Sequence, residues 1–483
     1  MEKRTKIVAT IGPASDSPEM LLKLIEKGVN VFRLNFSHGD HDYHLQNLKK
    51  IKEAIAKSKK HVAVLQDISG PKIRVGDLKE PFELKAGDIL EFVKEEIVGE
   101  QIDTHRYRLT INQKDILSKI NVGEYIYLYD GIIRAEVIEN DGEKVVARIE
   151  NDGLLTSRKG VNFPHSRIDI EVLTPKDKED IRWGVENGVD FMAISFVQKA
   201  ADMQKARELV ESYGGDVKLI AKIEKFDAVE NIDEIIKESD GIMVARGDLG
   251  IEVPYHRVPI IQKELIFKAN EASIPVIVAT QMLLSMTKNE RATRAEISDV
   301  ANAVLDGTDA VMLSEESAIG DHPLLVVETM VNTIKDAESI YYYNRFDFYD
   351  NYDEMDLIDE SAVRLGDDLE VEALLSATTS GGSARKLSRY KPKMPIYAIT
   401  HDEKTARSLA LSWGIETKFI VEKSSLSSVL TSLVQEANAT KTLDFSKRYI
   451  LTAGNPTGVA GTTNVIRILT QNEFEYYLDP KEV

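Results

Sequence analysis

Cysteine is absent from the 483-residue chain, which excludes disulfides, thiolate catalysis and cysteine-ligated zinc or iron–sulfur sites. Positive charge is in deficit: 61 Lys and Arg face 80 Asp and Glu, for a net charge of −19. That balance argues against a nucleic-acid or anionic-membrane partner, although a local basic cleft could still hold a phosphorylated metabolite. No apolar run is long enough to span a bilayer, and the start MEKRTKIVATIG lacks the charged-then-apolar pattern of a signal peptide. A soluble cytoplasmic protein is the expectation. The length exceeds what one core usually supports, so about two to four domains are expected.

What the chain has in quantity is apolar strand patterns alternating with amphipathic helical ones. Eight strand-like runs begin at Lys6, Val29, Val62, Asp190, Val217, Asp240, Pro275 and Asp309. Helical stretches such as SPEMLLKLIEKG, KDKEDIRWGVENG and SDVANAVLDG lie between them, several closed by a capping glycine. Eight strand–helix units predict a closed parallel (β/α)8 barrel, an α/β fold, with an open doubly wound sheet as the alternative. After the third strand the rhythm changes to short alternating runs separated by AGD, YDG and NDG turns, the pattern of a small all-β lid domain inserted in a barrel loop. Residues 341–360, acidic and rich in tyrosine, show no clean period and are taken as a connector. Beyond them, ALLSATTSGGSARKLSRY, PIYAITHDEKTARSLALSWG and YILTAGNPTGVAGTTNVIRIL resume strand–helix alternation as a separate α/β domain. The expected boundaries are 1–71 and 170–344 for the barrel, 72–169 for the lid and 345–483 for the C-terminal domain.

The strands end in charge. LIAKIEKF delivers Lys222 and Glu224, and VARGDLG delivers Arg246 and Asp248. Side chains alternate along a strand, so Lys222 and Glu224 share one face. A cation and two carboxylates converging at buried strand ends are costly unless a metal or anionic ligand compensates. The second strand ends in Arg33, Asn35 and Ser37, followed by His38; the third in Asp67 and then Lys72 and Arg74. Thr280 and Gln281 end the seventh, Ser314 and Glu316 the eighth. In such barrels these ends face the catalytic mouth. Two carboxylates without a cysteine or clear histidine partner suit Mg²⁺ or Mn²⁺, and the surrounding Lys and Arg suit phosphate. That combination implies phosphoryl transfer or a metal-stabilised enolate.

KIVATIGPAS, NVFRLNFSHG, SGPKIRVG, MVARGDLGIEVP, PVIVATQML and RAEISDVANAVLDGTDAVMLS together resemble the pyruvate kinase family, collinearly over nearly the whole chain. The resemblance implies transfer of the phosphoenolpyruvate phosphoryl group to ADP, a lid, a C-terminal regulatory domain and a homotetramer. Carried over by residue, it implies that Glu224 and Asp248 bind the divalent metal and that Lys222 bridges the transferring phosphoryl group and stabilises the enolate. Arg33 would grip the phosphate, with Thr280 and the backbone at Gly247 and Asp248 holding the carboxylate. Asn35, His38, Arg74 and Lys159 resemble nucleotide-binding positions. A water held by Thr280, Ser314 and Glu316 is the expected source of the carbon-bound proton. A barrel lyase or aldolase acting on a pyruvate enolate, and a non-catalytic metabolite-binding paralogue, are the alternatives.

Two departures from the family pattern are informative. Many relatives carry glutamate where this chain has Lys72 and use K⁺ held by the equivalents of Asn35, Ser37 and Asp67. The expectation is that the Lys72 ammonium enters this pocket and that K⁺ is not required. In SEES, Glu315 stands where the family usually has glycine, and the sequence offers no account of it. The loop Thr378, Thr379, Ser380, Gly381, Gly382 and Ser383 opens a helix, which suits an anion, and resembles the family's sugar-phosphate effector pocket. GNPTGVAGTT lacks Lys and Arg, so a monophosphate effector is expected over a bisphosphate. His38, His41 and His44 are spaced by three, but they read as solvated side chains plus one nucleotide contact, not as a metal triad.

Overall fold

Each of the eight apolar runs becomes a parallel strand, and together they close a barrel. In the computed structural model, which describes residues 2–164, 166, 171–350, 353–422, 424–457, 459 and 461–479, the strands are Lys6–Thr10, Val31–Asn35, Ala63–Asp67, Phe191–Ile194, Lys218–Ile223, Gly241–Ala245, Val276–Ala279 and Ala310–Leu313. The first pairs with both the second and the eighth. Alternation sorts the side chains. Val8, Val31, Leu65, Phe191, Ala193, Ile220 and Met312 fill the interior, while Ile7, Phe32, Leu34, Val64, Met192, Leu219 and Val311 pack outward among the helices. Continuing the interior column by two residues reaches Thr10, Arg33, Asp67, Ser195 and Lys222. The apolar layers thus form the floor beneath a polar mouth.

Local chemistry sets the helices that close each unit. Ser17, Asp40, Thr174 and Thr293 cap helix N-termini through their side chains, the last two as reciprocal capping boxes. Gly188 and Gly307 end two of these helices in the left-handed conformation, which a residue without Cβ adopts at no steric cost.

The β-rich stretch after the third barrel strand forms a seven-stranded sheet plus a two-stranded one, around a core of its own that includes Leu90, Phe92, Leu109 and Ile126. Its expected end falls partly on His165 and residues 167–170, outside the described residues. The C-terminal part is a five-stranded sheet ordered Ile415–Ile420, Ile396–Thr400, Ala373–Ala377, Tyr449–Gly454 and Thr463–Leu469, with helices covering it. No helix among the described residues is long and apolar enough to cross a membrane.

Three expectations change. The connector is shorter than expected, because Glu354–Asp368 is a helix capped by Asp353. Its buried face carries Asp356 and Asp359 ahead of Ala362, Val363 and Gly366, so the apolar period is erased where the helix starts. The last strand–helix unit is instead an antiparallel pair, Tyr449–Gly454 with Thr463–Leu469. The VARGDLG run leaves the sheet at Ala245, and Arg246–Glu252 is helical.

Candidate active site

The mouth of the barrel holds a chain of alternating charges contributed by successive strands. Thr10 donates its hydroxyl to Leu313 O (2.8 Å) and accepts from Arg33 Nη1 (2.9 Å). Arg33 clasps Asp67 Oδ2 through Nε and Nη2, both at 2.7 Å. The other Asp67 oxygen lies 3.1 Å from Lys222 Nζ, which reaches Glu224 Oε1 at 2.8 Å and donates to Ser195 Oγ at 2.7 Å. Glu224 is 1 % exposed, and its Oε2 accepts the Phe196 N–H at 2.9 Å. Phe196 turns into the left-handed region (φ 59°) just where that amide meets the carboxylate. Such strain in a side-chain-bearing residue costs about 1–2 kcal/mol and persists where surrounding structure fixes it.

Electrostatics within this chain are strongly biased. Burial disfavours charge on Asp67, yet Lys222 and Arg33 more than offset it and hold the carboxyl below its usual range. Burial likewise opposes the Lys222 charge, but Asp67 and Glu224 keep the ammonium protonated well above its ordinary value. Glu224 goes the other way: burial first, and then repulsion from Asp248, push it up despite Lys222. Two neighbouring carboxylates that repel each other in a desolvated cleft fit a divalent cation. No group of three or more His, Asp or Glu side chains able to enclose a metal occurs among the described residues. The pair would therefore leave most of the coordination sphere to substrate oxygens and water, as Mg²⁺ prefers.

Asp248 lies in the first turn of the Arg246–Glu252 helix, as does Gly247. The Gly247 N–H donates to Thr280 Oγ1 at 2.9 Å, and that hydroxyl donates to Ala279 O at 2.6 Å. Thr280 and Gln281 are both left-handed (φ 70° and 54°), a second point of strain at the mouth. Arg246, read with Asp248 as a strand end facing the mouth, does not join the cleft charges. Its guanidinium binds Asp299 Oδ1 (2.6 Å) and the carbonyl of Thr280 (2.8 Å), bracing the seventh strand's end. Ser195 and Thr10, which sequence reasoning passed over, prove to be parts of the charged chain. Their only signal was a small hydroxyl residue two positions past an interior apolar one.

The expected grouping of Lys72 with Asn35, Ser37 and Asp67 is not what the structure contains. Lys72 Nζ lies 3.4 Å from Asp248 Oδ1 and 3.5 Å from Asp130 Oδ1. Asp67 is already neutralised by Arg33 and Lys222, so the lysine goes to carboxylates that lack a partner of comparable strength. Asn35 accepts the Ser37 N–H at 3.2 Å, and Ser37 and His38 are exposed. Arg74 and Lys159 belong to the inserted domain, where Arg74 bridges Gly160 and the Lys159 ammonium stands 4.0 Å from the Tyr129 ring centre.

Among the described residues no hydrogen bond links Thr280 to Ser314 or Glu316. The Glu316 oxygens accept the N–H groups of Ser314 (2.7 Å) and Leu283 (3.2 Å), and burial raises its carboxyl above the usual range. Glu315 points to solvent, which explains why its bulk is tolerated. His41 pairs with Asp180 (2.7 Å), while His44, expected to be solvated, is buried, stacks on Phe36 at 4.0 Å and bonds the His38 carbonyl.

In the C-terminal domain, Thr378, Thr379, Ser380, Gly382 and Ser383 line a cavity of about 280 Å³. Gly381 caps the following helix at φ 85° and donates to Thr378 Oγ1 at 3.0 Å. Cations reach this cavity from outside the expected partner segment, as Arg385 and Lys386. Gly458 and Ala460 of that segment lie outside the described residues.

A family model described as the pyruvate kinase barrel domain matches residues 2–327, and one described as the pyruvate kinase alpha/beta domain matches residues 356–469. Pyruvate kinases of Staphylococcus epidermidis and Staphylococcus aureus are each 41 % identical over 477 residues, covering 96 % of this chain and 80 % of theirs. A crystal structure of a pyruvate kinase from Cryptosporidium parvum superposes with a TM-score of 0.90 at 34 % identity, covering 97 % of this chain and 96 % of that one. The chain therefore belongs to the pyruvate kinase family, phosphotransferases that act on phosphoenolpyruvate and ADP.

Proposed function

We propose that phosphoryl transfer runs along the charged chain from Arg33 to Asp248, and the observation that carries this reading is Lys222. Its ammonium is held by Asp67, Glu224 and Ser195 at once, so it is fixed in place before substrate arrives. A preorganised cation at the point where charge develops needs no reorganisation during the reaction. Lys222 meets the moving phosphoryl group and then the enolate oxygen. Arg33, oriented by Asp67 and Thr10, grips the phosphate. Thr280 and the Gly247 and Asp248 amides hold the substrate carboxylate. Glu224 and Asp248 would hold Mg²⁺ or Mn²⁺, which when bound supplies charge neutralisation at phosphate and enolate oxygens. Asn35, His38, Arg74 and Lys159 receive the nucleotide, the last two brought in by the lid. The enolpyruvate carbon takes its proton from water at Thr280, with Ser314 beside it and Glu316 anchoring that loop.

Lys72 supplies the unit positive charge that K⁺ supplies in relatives carrying glutamate there, and the enzyme turns over without a monovalent cation. Its ammonium at Asp248 supports this, since a fixed cation at the cleft edge leaves less need for a diffusible one. Turnover of phosphoenolpyruvate and ADP with Mg²⁺ in Na⁺- and K⁺-free buffer tests it. Activity already near maximal is expected, and a many-fold rise on adding K⁺ would overturn it. The cavity at Thr378–Ser383 takes a sugar monophosphate as effector, the protein assembles as a homotetramer, and it works in the cytoplasm.

A further inference from the structure

The seventh barrel strand runs into two left-handed residues, Thr280 and Gln281, with φ of 70° and 54°. For a β-branched residue such as Thr280 that conformation is an outlier, and it persists only where neighbours hold it. The first turn of the Arg246–Glu252 helix does the holding. Every nitrogen of the Arg246 guanidinium donates: Nε to Ala279 O at 3.3 Å, Nη1 to Asp299 Oδ1 at 2.6 Å and Nη2 to Thr280 O at 2.8 Å. The planar fork therefore spans the carbonyls on either side of the Thr280 Cα, the groups that its φ and ψ move. Asp299, on the helix Arg294–Asp306, anchors the guanidinium, which is 12 % exposed. From the next residue, the Gly247 N–H donates to Thr280 Oγ1, and Oγ1 donates to Ala279 O. With its proton and one lone pair engaged, the hydroxyl keeps one lone pair for a water.

We propose that Arg246 is a positioning residue for the protonation of enolpyruvate: it touches no reacting atom, but its fork fixes the Thr280 turn that sets where the proton-donating water stands. A water held through one hydrogen by Thr280 Oγ1 presents the other to the methylene carbon. The enolate electron pair then forms the new C–H bond, the carbonyl reforms, and the hydroxide left behind regains its proton from solvent. Released from the fork, Thr280 relaxes out of the left-handed region and its hydroxyl is re-aimed. Lysine is no substitute, because it keeps the charge but is a point donor that cannot span two carbonyls and a carboxylate in one plane. Phosphoryl transfer depends instead on Lys222 and Arg33, which are held by Thr10, Asp67, Ser195 and Glu224.

This rests on the role given above to Thr280, and the test separates the two ideas by following each chemical step. Exchange of the pyruvate methyl hydrogens for deuterium, in D₂O with Mg²⁺ and ATP, is read by proton magnetic resonance and reports proton transfer at carbon. Single-turnover formation of ATP from phosphoenolpyruvate and ADP reports phosphoryl transfer. In R246K the exchange should fall about a hundredfold, the scale for a misplaced reacting group. ATP formation at saturating phosphoenolpyruvate should stay within about threefold of the parent, since the transfer step itself keeps its contacts. D299N, which leaves the fork in place without its anchor, should show a smaller loss confined to the same step, and it decides the matter should R246K not fold. Equal losses in both steps would mark a general loosening of the site and overturn the proposal. T280V should lose exchange as R246K does. If T280V exchanges like the parent, the role of Thr280 fails and that of Arg246 with it. If T280V loses exchange while R246K and D299N keep it, the positioning role alone is overturned.

Discussion

Lys222 and Lys72 are two lysines of one cleft whose surroundings give them different work. Lys222 is 12 % exposed and has three partners within 3.1 Å, so it is rigid. Lys72 is 26 % exposed and has two long contacts, so it can shift its weight. Lys222→Met is therefore expected to lower turnover by about a thousandfold or more, the scale for removing a preorganised charge at the reacting centre. Mn²⁺ binding should survive, because Glu224 and Asp248 remain. Retention of more than about a tenth of the parent rate would refute the role given to this lysine. That Lys222 and Glu224 meet was legible from their spacing by two on a strand. The partners of Lys72 were not, since Asp130 and Asp248 lie 58 and 176 residues away along the chain.

At the scale of elements, the barrel strands announced themselves because each buries both faces and reads as an unbroken apolar run. The helix Glu354–Asp368 did not, because its inward face begins with Asp356 and Asp359. Asp359 is fully buried, neither of its oxygens has a hydrogen-bond partner, and burial pushes its carboxyl up to about 8. Lys386 and Arg389 work against that shift, and Asp356 and Asp353 add to it. A carboxyl whose folded pKa is raised binds more protons in the native than in the unfolded state. Its ionisation cost is absent below about pH 4 and grows until about pH 8. Asp359→Asn should therefore raise the melting temperature by a few degrees at about pH 8.5, with a smaller gain at about pH 5.5. A gain independent of pH, read by thermal denaturation, would show that the carboxyl is not the source of instability.

Across the whole molecule, the barrel and the C-terminal domain are joined by buried polar contacts at the end opposite the catalytic mouth. The Arg4 guanidinium donates to the Pro392 and Lys393 carbonyls and lies over Tyr343 and Trp413, at 4.9 and 5.5 Å from their ring centres. Asp190, just ahead of the fourth barrel strand, takes the Val64 N–H and Arg407 Nε, both at 2.8 Å. Removing the Arg4 guanidinium leaves buried carbonyls without a donor, at about 1–3 kcal/mol each. Arg4→Ala is expected to separate unfolding of the C-terminal domain from that of the barrel in calorimetry. A single transition within about one degree of the parent would mean that the joint carries little of the coupling.

The amino-acid sequence by itself determined the eight-stranded barrel, the inserted β domain and the strand-end columns that bear Arg33, Asp67, Lys222 and Glu224. These follow from periods of two and 3.6, and such periods are local. Only the tertiary structure decided how the charges pair: Asp67 as a strut between Arg33 and Lys222, Arg246 turned away onto Asp299, and Lys72 drawn between the lid and Asp248. The physical reason is that an ion pair forms where an unneutralised partner lies within a few ångströms, and folding rather than sequence position brings such partners together.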